Sequence, residues 1–290
     1  MPRVSYTAPA TVDEAVKALA GAAGVAKILS GGTDLLVQLK SVRLKPDLIV
    51  DTKRIPGLIG IREEADSWVI GASTPGAMLS SHAALEHAFP GVVEGLDLIG
   101  STQIQGRASL AGNLCNASPA ADSVPPMITA RAVAIVAGPG GRREVPVANI
   151  VTGPGQTSLA KGEFVIEFRL PKPKPRQSDA YLRFIPRTEM DIAVVGCAVN
   201  VTLDAAGVCT DALVSLGAVA PTQLVVADAA QALIGHKLDA DTLAKLDAAA
   251  QRACKPITDK RGTIEYRTKI AGVLARRAAA IAFERAAARA

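Results

Sequence analysis

The spacing of apolar residues changes period repeatedly along the chain, and each change marks an element. Behind Thr11-Val-Asp-Glu14, the residues Ala15, Val16, Ala18 and Leu19 recur at helical spacing. Thr11 and Glu14 form a capping box, which predicts a helix to about residue 22, ended by Gly24. Residues 25–29 read as a strand, 35–39 as a short helix and 46–51 as a second strand, so the chain opens with a small β-α-β unit. Residues 68–71 are strand-like, and Thr74-Pro75 predicts a helix start with proline at its first position. Apolar periodicity carries the helical reading over 78–89 and 92–99. Residues 132–137 and 143–147 flank Gly138-Pro-Gly-Gly141 as a hairpin, and 163–170 is a strand with partial alternation.

Pro171-Lys-Pro-Lys-Pro175 cannot sit inside a helix or sheet and marks a junction. It divides the chain into 1–175, with subdomains 1–55 and 56–175, and 176–290. Beyond the junction, 181–185, 192–203 and 208–218 read as a three-stranded meander that turns at Asp204-Ala-Ala-Gly207. Segments 224–233, 241–253 and 264–288 read as helices, the last with Tyr266, Ile270, Val273 and Leu274 on one face. The expected fold class is α+β: a small β-α-β unit and a larger mixed α/β unit, followed by an antiparallel meander with a helical bundle.

Composition narrows the class. A chain of 290 residues accommodates two domains with ample core. Hydrophobic content reaches 49%, but aromatics are only 3% and alanine dominates, which favours close packing of small side chains over a membrane protein. No run approaches the roughly 18 apolar residues of a spanning helix, and the N-terminal stretch lacks the apolar core of a secretory signal. A cytoplasmic protein is expected. The net charge of +5 is scattered, and its densest cluster, Lys172, Lys174 and Arg176, lies among prolines without aromatic residues, so nucleic acid is not an expected partner. Cys115, Cys197, Cys209 and Cys254 form no C-x-x-C pair and His82, His87 and His236 lie apart, so no metal site is expected.

Two stretches carry candidate chemistry. In the first, a strand feeds Ser30, Gly31, Gly32, Thr33 and Asp34, and a helical pattern follows at once. Paired glycines permit φ > 0 and leave no Cβ between the main chain and whatever docks there. Thr33 or Asp34 can cap the helix, and amides fanned around such a turn suit a phosphate; a turn of this kind also serves simply as a connection. The second stretch, Ser109-Leu-Ala-Gly-Asn-Leu-Cys-Asn-Ala-Ser-Pro-Ala-Ala-Asp122, is rich in small and amide-bearing residues between apolar elements. Read as an enclosed polar loop, it needs hydrogen-bond partners, supplied by a bound ligand or by the protein itself.

Taken in order, these stretches resemble the FAD-binding medium subunit of the molybdenum hydroxylases, the family of carbon monoxide dehydrogenase and xanthine dehydrogenase. Ile28-Leu-Ser-Gly-Gly-Thr-Asp-Leu-Leu36 looks like its first flavin motif and 109–122 like its second. Thr188-Glu-Met-Asp-Ile-Ala-Val194, and Asp259-Lys-Arg-Gly-Thr-Ile-Glu-Tyr-Arg267 followed by Ala271-Gly-Val-Leu-Ala-Arg-Arg277, are similar to its later segments. The match spans essentially the whole chain.

The resemblance implies a vanillyl-alcohol-oxidase-like FAD-binding fold and a non-covalent FAD, since neither motif contains histidine. It assigns Lys27, Leu29, Ser30, Gly31, Gly32, Thr33 and Asp34 to the cofactor from the first motif. From the second it assigns Ser109, Ala111, Gly112, Asn113, Ser118 and Asp122, with Asp122 accepting from the ribose or adenine side or else capping the following helix. Val165 or Ile166 would be the apolar contact at the ring and Arg183 the nearby cation, where positive charge raises the flavin potential; otherwise Arg183 is a strand residue with its head in solvent. Ala111-Gly112 replaces a Gly-Gly common in relatives, which is tolerable only if φ at Ala111 is negative. The implied role is electron transfer from the 2Fe-2S clusters of a small partner through FAD to an external acceptor, the substrate being oxidised at the molybdenum cofactor of a large partner, in a dimer of heterotrimers. No catalytic acid, base or metal ligand is expected in this chain. The alternatives are a free-standing flavin oxidase or reductase with its own organic substrate, and a nucleotide-binding module without enzymatic activity.

Overall fold

The computed structural model describes residues 4–41 and 44–289, so the first three residues of the stretch weighed as a secretory signal lie outside it. The first unit comprises β1 (Ser5–Thr7), α1 (Val12–Gly21), β2 (Ala26–Leu29), α2 (Leu35–Lys40) and β3 (Leu48–Asp51). Its strands are parallel in the order β1-β3-β2. Half of the capping box forms: Thr11 Oγ1 accepts from the Glu14 N–H at 3.2 Å, but the Glu14 carboxylate reaches one residue further back, accepting from the Ala10 N–H at 2.8 Å. Ala15, Val16 and Leu19 of α1 pack with Val50 and with Ile135, Phe164 and Ile166 of the next unit.

That second unit begins with β4 (Ile61–Glu63) and β5 (Ser67–Gly71) and continues through α3 (Gly76–Ser80), α4 (Ala83–Ala88), α5 (Pro90–Asp97), α6 (Thr102–Gln105), α7 (Leu110–Cys115) and α8 (Val124–Thr129). The chain then forms the hairpin β6 (Val133–Gly138) and β7 (Gly141–Pro146), a small ribbon of β8 (Val151–Gly153) and β9 (Gln156–Thr157), and β10 (Phe164–Pro171). An antiparallel sheet orders β4-β5-β10-β6-β7. The helix expected over 78–89 is two helices, because His82 starts a new one: its Nδ1 accepts from the Leu85 N–H at 3.2 Å while its ring stacks edge-on against Trp68. Pro75 precedes its helix as N-cap instead of opening it.

After the prolines come β11 (Gln177–Phe184), β12 (Val195–Leu203), β13 (Cys209–Gly217), β14 (Leu224–Val225), α9 (Ala227–Leu233), α10 (Ala240–Ala253) and α11 (Ile264–Ala288). The sheet is antiparallel in chain order and gains a fourth strand, because Leu224 and Val225 pair with Leu216 and Ser215 before the helix expected there begins. The buried face of α11 agrees with the expected one at Leu274 and Ile270 but not at Tyr266. It runs through Ala271, Leu274, Ala275, Ala278, Ala279, Ala282, Phe283 and Ala286 on the sheet, while Tyr266 is exposed and edge-on to Phe184. Alanine lets the helix axis approach the strands closely, and a larger side chain on this face would hold it off. The N-terminal helices α5 and α8 pack against β11, β12 and β13, joining the units. The mixed α+β class is as expected.

Candidate functional site

Because β2 and β3 are parallel, their carboxyl ends lie side by side, with the Thr52 N–H donating to the Leu29 carbonyl at 3.3 Å. The first bend leaves β2 at this edge, the usual ligand side of parallel strands. Gly32 has φ of 80°, and the N–H groups of Gly31, Gly32, Thr33 and Asp34 donate to no acceptor among the described residues. Neither Thr33 nor Asp34 caps α2 with its side chain, so the capping expected there is absent. Amides left without partners on such a bend are available to donate to an anion.

The first half of the second stretch is not the loop expected but the short helix α7, and the rest, from Asn116 to Asp122, is turn and loop. Ser109 is its N-cap, accepting from the Gly112 N–H at 3.2 Å. Ala111 lies in the helix, so its φ is negative and the alanine is accommodated. Ser30 Oγ and Ser109 Oγ meet at 3.0 Å, and Gln38 Nε2 donates to Asn116 Oδ1 at 3.1 Å, so the two motifs close on one another. Gly31 is glycine for this contact: a Cβ there would lie 1.8 Å from the Arg107 carbonyl oxygen. A Cβ on Gly32 would point at Leu29 and Leu36. What docks against the paired glycines is therefore the protein's own main chain at Arg107 and Ala108, just before the second motif, and the leucines beneath the bend.

Between the motifs lies a cleft of about 440 Å³. Lys27, Ser30, Gly31, Gly32, Thr33, Asp34, Ser109, Ala111, Gly112, Asn113 and Val165 line it. Leu29, Ser118, Asp122, Ile166 and Arg183 do not. Leu29 lies under the Gly32 bend. Ser118 Oγ accepts from the Ala120 N–H, closing its own turn. Ile166 is the extra residue at a β10 bulge and packs on Ile135 and Phe164. The capping alternative for Asp122 is corrected, since it does not cap α8; its oxygens accept from Tyr181 Oη at 2.8 Å and Arg183 Nη1 at 2.9 Å. Nor does Arg183 hold its head in solvent; Nη1 also donates to the Leu98 carbonyl at 2.7 Å, one residue behind Ile99 in the cleft wall.

Sequence reasoning missed Gln38, Thr52, Ser73, Ile99, Cys115 and Asn116, together with the 157–164 segment after the β8–β9 ribbon. Gln38 follows Asp34 by one helical turn, a spacing that could have found it; the 157–164 segment carries no motif. Burial pushes the Asp34 carboxyl up from the ordinary range, and it pushes the Cys115 thiol up to about 12, too high for a nucleophile. Glu163, also in the wall, is held below the usual range chiefly by its hydrogen bond with Arg143, and Lys27 and Lys161 add positive charge. Among the described residues no group of acidic, thiol and imidazole side chains could hold a metal ion, and no helix is long and apolar enough to cross a membrane. The cleft offers free amides, two cations and an apolar wall, a set that fits an elongated diphosphate-bearing ligand such as FAD.

Comparison with known proteins agrees. Residues 2–173 match the model of the FAD binding domain in molybdopterin dehydrogenase, and 180–282 that of the CO dehydrogenase flavoprotein C-terminal domain. The chain is 33% identical over 286 residues to the carbon monoxide dehydrogenase medium chain of Hydrogenophaga pseudoflava, covering 99% of each. It is 31% identical to the xanthine dehydrogenase FAD-binding subunit of Escherichia coli O157:H7, covering 91% of this chain and 90% of that one. A chain of the reconstituted CO dehydrogenase from Oligotropha carboxidovorans superposes with a TM-score of 0.92 at 34% identity over 100% of both chains. With its two motifs folded against one another and both halves matched, this chain belongs to the family of FAD-binding medium subunits of the molybdenum hydroxylases.

Proposed function

We propose that this chain carries a non-covalent FAD in the cleft between its two motifs. Its role is to pass electrons from the iron–sulfur clusters of a small partner to an external acceptor, while a large partner oxidises the substrate at its molybdenum cofactor. The observation that carries the reading is the meeting of two separate motifs around unused backbone amides at the carboxyl edge of β2 and β3. When bound, FAD supplies the redox chemistry, accepting electrons singly or in pairs. The protein's share is placement. Amides of 31–34 and the first turn of α7 hold the diphosphate, Ser109 and Asn113 lie within the same wall, and Val165 gives an apolar surface to the ring. Arg183 lends its charge from behind the wall, moderated by its ion pair with Asp122.

Non-covalent attachment is supported by a lining without histidine, whose one thiol is kept protonated. As the family resemblance implies, the assembly is a dimer of heterotrimers in which this chain is the medium subunit. A cytoplasmic location accords with free thiols at all four cysteines. Co-purification of the tagged chain from its native host, with flavin, iron and molybdenum analysis, tests the proposal. FAD, iron and molybdenum in fixed ratio with two further chains are expected; a lone chain that turns over an organic substrate without them refutes it.

A further inference from the structure

Lys53 lies outside the cleft lining, one residue beyond Thr52, yet its ammonium touches the main chain of the first bend. Nζ donates to the Ser30 carbonyl at 3.2 Å and to Asp51 Oδ1 at 2.7 Å. Asp51 Oδ2 in turn accepts from Tyr6 Oη at 2.8 Å. On its other side Ser30 meets Ser109, which caps α7. A line of hydrogen bonds thus runs from β1, through the residues just after β3, to both bends. We propose that Lys53 is a positioning residue for the diphosphate end of the FAD site, acting by fixing the plane of the Ser30–Gly31 peptide; this rests on the FAD reading above.

The reason is geometric. A trans peptide is planar, with its carbonyl and the following N–H pointing in opposite directions. Anchoring the Ser30 oxygen on the Lys53 side therefore sets where the Gly31 N–H points. The bend itself does little to hold that plane, since Gly31 has no side chain and Gly32 occupies the left-handed region. A flipped peptide would turn a carbonyl oxygen, not an N–H, toward an anion. The charge of Lys53 is matched by Asp51 beside it, and Tyr6 steadies that carboxylate, so the group contributes direction more than net attraction. A partly exposed ion pair with no such duty is worth little.

The test uses the full chain stripped of flavin, with FAD and ADP as probes because both carry the diphosphate. Titration calorimetry should show Lys53→Met weakening both by the same factor, roughly ten- to hundredfold, the range of a lost hydrogen bond to a charged group. Lys53→Arg, which keeps a donor, should restore most of it. A double variant, Lys53→Met with Asp51→Asn, avoids leaving the carboxylate unpaired and should bind as weakly as Lys53→Met alone. A role in stability only would lower the melting temperature and leave both affinities at the wild-type value, and that result overturns the inference. If the wild-type chain binds neither FAD nor ADP, the FAD reading falls and takes this one with it.

Discussion

Gly31 shows how much one hydrogen can decide. Its missing side chain is what allows the Arg107 carbonyl to reach the first bend. Gly31→Ala should separate the motifs, lower stability by about 1–3 kcal/mol and abolish flavin retention. Absorbance of dialysed protein at flavin wavelengths measures it, and a fully yellow variant would mean the contact is dispensable. Asp179 is decisive in another way. It is buried in β11, with the Gly91 N–H on Oδ1 and no partner for Oδ2. Burial first, and Glu94 of α5 as well, push its carboxyl up to about 7, against the pull of the Gly91 N–H and of Arg289 and Arg285. A group that binds its proton more tightly when folded stabilises at low pH and loses that contribution as pH rises. The window here runs from about 4, the unfolded value, to about 7. Asp179→Asn should therefore be more stable than wild type at pH 8 and show a flatter dependence across that window. Denaturant midpoints of both proteins between pH 4 and 8 would reveal it; parallel curves would clear Asp179 of the effect.

Short elements do most of the positioning. The six residues of α2 bury none of their apolar side chains, so packing against a core does not explain how that helix is held; the bend before it and the Gln38–Asn116 contact are what tie it down. By contrast α11 is fixed by its alanine stripe. Ala278→Leu, at a fully buried position facing the sheet, should cost about 1–3 kcal/mol by forcing helix and strands apart. A thermal melt would register it, with no change expected from Ala280→Leu on the exposed side. The alanines also explain why the sequence marks the buried face of α11 only in part, at Leu274 and Ile270. Alanines lie on both the buried and the exposed side of this helix, so they give little contrast between faces, and weighting the large residues put Tyr266 with the buried side ahead of Ala271. His82 broke a helix for a different reason: its capping hydrogen bond to Leu85 is local, but the edge-on contact that holds the ring comes from Trp68 of β5.

At the scale of the molecule, the Arg183–Asp122 pair fastens the C-terminal sheet to the N-terminal half, both side chains being nearly enclosed. Burial pushes Asp122 up to about 6, against the pull of Arg183 and Tyr181. Breaking a buried pair from one side leaves the other charge stranded, at about 3–5 kcal/mol. Arg183→Ala should thus destabilise the chain and also lower the flavin midpoint potential. A redox titration with unaltered potential would leave Arg183 a purely structural bolt. The paired glycines, the Ser109–Asp122 stretch and most of the longer strands and helices were legible in the sequence. Each is a local matter: turn chemistry, capping and apolar period act over a few residues. That Ser30 touches Ser109, that Val165 and not Ile166 faces the cleft, and that Asp122 answers to Arg183 were decided only by the tertiary structure. Those contacts join residues 79 and 61 positions apart, or depend on a single bulge in β10, and nothing in the local code records which distant atom will fill a hydrogen bond.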